Sequence, residues 1–226
     1  MNNTVLGLAL LVVTTQFAHA DTFEPISPEQ VPSGMTYSVT QPPVEDPRLL
    51  AGKHVAILAS HGVEESEITF PYQYLIARGA QVDILVPEWT PTGVTAVQFL
   101  KPTLWVKATG TFKQGMTQSY DLMVLTGGAW NAQVVRTDND ALELIKAHYG
   151  AGRPLAAICA GTAVLINAGI AKDHLMTGSP VFATDLANAG AHYVDQSLVI
   201  SQNLATSRSP NDLPDFVTGL RRLLGK

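Results

Sequence analysis

Apolar positions along this chain fall into short dense runs separated by segments with helical spacing. HVAILAS from His54, QVDILVP from Gln81, YDLMVLTGG from Tyr120 and LAAIC from Leu155 are nearly continuous apolar stretches of strand length. Runs of this kind suit strands buried on both faces. EESEITFPYQYLIARG from Glu64 has helical periodicity and stops at Gly79. TDNDALELIKAHYGAG opens on Thr137 or Asp138 as a cap and closes on glycine. GTAVLINAG follows the LAAIC strand directly as a further helix. Residues 88–119 mix Thr, Gly and alternating apolar positions and predict short hairpins. Beyond residue 170, the short strands HLMTG, YVD, LVIS and LATS surround a helix at VFATDLANAG, and an amphipathic helix, PNDLPDFVTGLRRLLG, comes last. Buried strands alternating with helices predict an α/β domain with a mainly parallel sheet.

Two segments stand outside this pattern. Residues 1–20 carry an apolar stretch from Val5 to Val13 and end in Ala18-His19-Ala20 before Asp21. That is the form of a secretory signal peptide, and the run is shorter than the roughly 20 residues of a membrane span. Residues 21–50 are rich in Pro, Glu, Ser and Thr and predict an irregular leader on the domain surface. The domain itself is expected over residues 51–226. An exported protein, periplasmic or secreted, with no membrane association after cleavage, is the corresponding expectation.

Composition narrows the function classes. Of 226 residues 46% are hydrophobic and 15% charged, so the chain has material for a large core. The net charge of −5 and the lack of a Lys/Arg-rich block exclude nucleic acid as an obvious partner. A single cysteine, Cys159, forms no internal disulfide and is either an inert buried side chain, an intermolecular bridge or a reactive thiol. No two histidines have a zinc-protease spacing and no cysteine pair exists, so neither a metal nor a cofactor is expected.

Candidate chemistry collects where strands of a parallel sheet meet the following helix. In AAICAGTAVL a strand, one nucleophilic residue, a small residue and a glycine precede a helix, which is the layout of a nucleophile elbow. Cys159 then stands at a helix start that favours its thiolate; the competing assignment is a cysteine filling a core gap. In GVEESEITFP, Glu64 and Glu65 read as ordinary first-turn acids, whereas Glu67, followed by Ile68, Phe70 and Pro71, points inward. A buried carboxyl tends to keep its proton, and a protonated Glu67 donates to a thiolate. The Gly127-Gly128-Ala129 corner offers bare amides, so those of Gly128 and Ala160 are candidates for an oxyanion hole. His61, in ASHGVEE, is the candidate base, against the alternative of an exposed loop histidine. Trp130 serves as a pocket wall or a subunit contact. His192 suits a sheet edge or dimer interface, His148 a surface helix, and His174 has no supporting context.

Together AAICAG, GVEESE before an apolar-Pro helix, YDLMVLTGG and the late TSRSPNDLPDF resemble the DJ-1/PfpI family of the class I glutamine amidotransferase-like superfamily, over about residues 53–225. The resemblance implies a flavodoxin-like three-layer sandwich, usually dimeric. It also implies Cys159 as the reactive residue, Glu67 as its acidic neighbour and Gly127-Gly128 before the oxyanion site. Two departures stand out. Many members have histidine directly after the cysteine, where this chain has Ala160. The branch resembling DJ-1 itself has histidine in a T-H-P triplet, where this chain has TGSP and Ser179. Three functions are then compatible with the chain. One is a cysteine-dependent hydrolase or lyase, glyoxalase- or deglycase-like, acting on small carbonyl compounds or their adducts. Another is an oxidative-stress sensor without turnover, and the third a non-catalytic ligand-binding module. A small-molecule substrate and a homodimer are the implied partners.

Overall fold

The computed structural model describes residues 38–225, so the signal-peptide reading and the first part of the leader lie outside the described residues. The four apolar runs form β1 (His54–Leu58), β3 (Gln81–Val86), β7 (Leu122–Leu125) and β8 (Leu155–Ile158). With β6 (Gly110–Thr111), β11 (Val199–Ser201) and β12 (Leu204–Ser207) they build a seven-stranded sheet in the order β11-β12-β8-β7-β1-β3-β6. All its pairings are parallel except that of β11 with β12.

Side-chain alternation along each strand divides the core in two. Val55, Ile57, Val124 and Ile158 face one side, packed with Ile68 and Leu75 of α1 (Glu65–Ile76) and Phe216 and Leu220 of α7 (Leu213–Leu223). Leu58, Met123, Leu125 and Ala157 face the other, with Leu144 and Ile145 of α4 (Asn139–Gly150) and Val164 and Leu165 of α5 (Thr162–Asn167). Helices thus cover both faces of a mostly parallel sheet, as the three-layer expectation required. Asp138 caps α4, its carboxylate accepting from the Ala141 amide at 3.0 Å. The Asp, rather than Thr137, is the cap.

Several local expectations need correction. Residues 88–119 hold one hairpin, β4 (Gly93–Gln98) with β5 (Lys101–Lys107), which joins β2 (Val63–Glu64) in a separate three-stranded sheet. The remainder supplies β6 and a short helix, α2 (Phe112–Gly115). Thr111 and Gln114 form a reciprocal capping box there, a Thr-x-x-Gln signal readable in the sequence. His148 is buried, not on the surface, its Nε2 lying 2.7 Å from the Pro154 carbonyl oxygen. Burial pushes its pKa down. His192 sits on β10 (His192–Tyr193), paired to β9 (Leu175–Met176) in a small sheet of its own. Residues 38–50 form no strand or helix, and Leu50 at their end is fully buried.

Candidate active site

The candidate site forms where β1, β7 and β8 end. After Ile158 the chain turns at once through a 3-10 turn, Cys159–Gly161, into α5. Cys159 has φ of 55°, a left-handed conformation unusual for a side chain with a Cβ. Such backbone is held at a cost of roughly 1–3 kcal/mol and concentrates at functional positions. Thr162 secures the turn by donating from Oγ1 to the Cys159 carbonyl at 2.7 Å, and the Ser179 amide donates to the same oxygen at 3.2 Å. Ser179, which stands where the related branch has histidine, thus braces the elbow through its backbone. Gly161 lets the turn approach β7: a Cβ there would lie 2.7 Å from the Thr126 carbonyl oxygen.

Glu67, on the first turn of α1, is completely buried beneath this elbow. Neither carboxyl oxygen meets a partner in good hydrogen-bonding geometry. The Cys159 side chain, the charge of Glu64 and the Gly127 backbone bear on it. Burial pushes its pKa up to about 8, so the carboxyl holds a proton at neutral pH. The Cys159 thiol is pushed well above its ordinary value, first by burial and then by the charge of Glu67 when ionised, while the Ala160 and Gly128 amides pull it down. Two adjacent enclosed acids therefore cannot both be charged: at rest both hold their protons, and a Cys159 thiolate forms only while Glu67 keeps its own. Helix α5 has only six residues, so the two amides, rather than a long helix, favour the thiolate.

Gly127 and Gly128 have separate duties. A Cβ on Gly127 would collide with the Glu67 carboxyl and lie 2.8 Å from the Cys159 Cβ. Gly128 has φ of 92° and packs against the Gly62 carbonyl and the Glu64 amide, which leaves its own amide facing the sulfur. The candidates Cys159, Glu67, Gly128 and Ala160 therefore converge.

His61 does not join them as a base. Its Nδ1 accepts from the Thr95 amide at 3.0 Å, and its Nε2 lies 3.2 Å from Thr90 Oγ1. Thr90 spends its own hydroxyl hydrogen on the Gly93 carbonyl at 2.6 Å, so His61 carries its hydrogen on Nε2 and donates it to Thr90. Both ring nitrogens are thus engaged in holding the β4–β5 hairpin. Trp130 is 68% exposed, with its Cβ against Gly62.

Two residues were missed in the sequence. Asn131, fully buried on α3 (Ala129–Val135), accepts from the Ser60 amide at 2.5 Å and donates to the Thr126 and Gly127 carbonyls at 2.8 and 2.9 Å. It fastens the ends of β1 and β7 together and so fixes the glycine corner. An Asn three residues past a Gly-Gly turn gives no sequence signal of this. Glu64, expected as an ordinary first-turn acid, is buried and accepts from the Phe99 amide at 3.1 Å. Among the described residues, no group of three or more His, Cys, Asp or Glu side chains is placed to hold a metal ion.

A doubly covered parallel sheet with a strained cysteine elbow and a buried acidic neighbour defines a flavodoxin-like α/β protein with a thiol site. The chain belongs to the DJ-1/PfpI family, whose sequence model matches residues 53–222. Relatives include a deglycase of Pyrococcus abyssi, 31% identical over 75% of this chain and 98% of its own. Protein/nucleic acid deglycase 2 of Escherichia coli is 30% identical over 76% of this chain and 98% of its own. Among solved structures, Drosophila melanogaster DJ-1beta matches with a TM-score of 0.70 and 25% identity, covering 77% of this chain and 91% of that one. A two-domain protein of Anabaena variabilis with DJ-1/ThiJ/PfpI-like and ferritin-like domains matches at 0.72 and 30% identity; 76% of this chain is covered, and half of that one.

Proposed function

We propose that this protein is a cysteine-dependent enzyme acting on small carbonyl compounds or their adducts, of the glyoxalase or deglycase kind. The observation that carries this is the buried, protonated Glu67 beside a Cys159 whose sulfur faces two backbone amides. The Cys159 thiolate adds to the carbonyl carbon. The carbon–oxygen π pair moves onto oxygen, which the Gly128 and Ala160 amides receive, and the Glu67 proton neutralises it to give a hemithioacetal. For an α-oxoaldehyde the hemithioacetal hydrogen then passes as a proton, by way of an enediol, to the neighbouring carbon, with Glu67 as carrier. Water hydrolyses the resulting thioester to the hydroxy acid, breaking the carbon–sulfur bond, freeing the thiolate and returning one proton to Glu67. The relatives named deglycases favour this chemistry over peptide hydrolysis, as does the alanine after the cysteine. General-base help typically contributes 10²–10⁴-fold. With His61 engaged elsewhere, turnover is slow.

The test is methylglyoxal consumption and release of glyoxal-derived adducts by wild type and Cys159→Ser. Cysteine-dependent turnover is expected. Rapid alkylation of Cys159 by iodoacetamide with no turnover would instead favour oxidant sensing, in which hydrogen peroxide transfers one oxygen to the thiolate sulfur and leaves as water, and Glu67 donates to the resulting sulfenate. Export after cleavage at Ala20 and a homodimer complete the proposal. N-terminal sequencing of the mature protein and light scattering read them directly.

A further inference from the structure

The chain has three tryptophans, and all three gather at one turn. The His61 ring lies 5.4 Å from Trp89 and 5.9 Å from Trp105, centroid to centroid, at interplanar angles of 32° and 51°. Trp130 packs its Cβ onto Gly62, the next residue. Trp89, Trp105 and Trp130 are 61%, 55% and 68% exposed, whereas most large apolar side chains of this domain are buried. The cluster is held in place. His61 is held at both nitrogens. Trp105 lies over Gly93, where a Cβ would stand 2.8 Å from its Nε1.

The turn also belongs to the site. The Gly62 carbonyl packs against Gly128, whose amide faces the Cys159 sulfur. Trp130 is therefore one residue removed from the oxyanion position, through Gly62, and Trp89 and Trp105 join the same turn through His61.

We propose that Trp89, Trp105 and Trp130 form a substrate subsite that stacks on the ring of a sugar carried by the reacting carbonyl adduct. This deepens the reading of the site given above and rests on it. Exposed indole rings around the imidazole offer dispersion and CH-to-face contacts. Neither Trp89 nor Trp105 is parallel to the imidazole, so with it they form angled walls rather than a parallel slot. Angled walls suit a puckered saturated ring resting on one face, whereas a flat heteroaromatic ring is best held between parallel planes.

Because no other tryptophan exists in the chain, its tryptophan emission, excited at the red edge where the six tyrosines do not absorb, reports on this cluster alone. The full mature protein is titrated with methyl β-D-glucopyranoside, which has no free carbonyl, in both wild type and Cys159→Ser. Glycerol and adenosine are the comparison probes. A saturable emission change with the glucoside in both proteins, absent with glycerol, supports the subsite. Its persistence in Cys159→Ser separates ring binding from the cysteine chemistry, so loss of turnover alone leaves the subsite standing. Trp105→Ala and Trp89→Ala should each weaken glucoside binding about 2- to 12-fold, the equivalent of one aromatic contact. No saturable response, or a response to adenosine only, overturns the proposal. So does emission that iodide fails to quench until the protein is diluted, which would show a second copy covering the rings.

Discussion

Replacing Glu67 by glutamine should stabilise this protein at alkaline pH and leave it comparatively unchanged in acid. The folded carboxyl titrates near 8 because it is buried, against an ordinary value of 4.5. A group whose folded pKa is raised binds more protons when folded. Its favourable contribution is complete below about pH 4.5 and is lost as pH rises toward 8. At about 1.36 kcal/mol per unit, the penalty reaches about 3 kcal/mol at pH 7 and approaches about 5 kcal/mol above pH 8. Glutamine keeps the shape and never ionises, so its packing defects are constant with pH and only the slope is diagnostic. Urea denaturation of wild type and Glu67→Gln at pH 5, 7 and 8.5 gives the comparison. The difference in unfolding free energy should grow in favour of the variant by several kcal/mol across this range. Parallel pH profiles for the two proteins would refute a raised Glu67 pKa, and with it the proton that the proposed thiolate needs.

Three further outcomes follow from the same geometry. Gly127→Ala drives a methyl group into the Glu67 carboxyl and the Cys159 Cβ, so it should destabilise by about 1–3 kcal/mol, which urea denaturation checks. Asn131→Asp replaces donors to the Thr126 and Gly127 carbonyls with an acceptor, at about 1–3 kcal/mol for each group left unpaired. It should also raise the apparent pKa in the alkylation-rate profile of Cys159 by loosening the glycine corner. His61→Ala should leave the alkylation rate within about twofold while hydrogen exchange at the Thr95 amide accelerates; a tenfold loss of reactivity would restore histidine as the base.

The strands and the elbow were legible because both are local. An apolar run longer than three residues that ends in a small residue and glycine leaves few alternatives, and the alternation Val55-Ala56-Ile57-Leu58 already contains both core faces. Glu67 was legible from Ile68, Phe70 and Pro71 around it. The role of His61 was not, because it depends on Thr90, Gly93 and Thr95 in a hairpin some thirty residues away. Asn131 was hidden for the same reason, since its partners lie at the ends of two other strands. Glu64 was misread because helix-dipole reasoning concerns its own helix, while its hydrogen-bond partner, Phe99, belongs to the hairpin connection.

The leader residues beside α1 change where the working unit begins. Gln41 donates to the Phe70 carbonyl at 2.8 Å, and Arg78 donates to the Pro42 and Pro43 carbonyls at 3.3 and 2.7 Å while its guanidinium lies over the Tyr74 ring. These contacts run along the helix whose first turn carries Glu67. The family match starts at residue 53, yet the brace on that helix starts a dozen residues earlier. A protein trimmed to the family boundary would keep every residue of the thiol site and lose the strap that holds its acid-bearing helix. Residues 41–43 thus bear on the acid of the site through a helix rather than by contact with the sulfur.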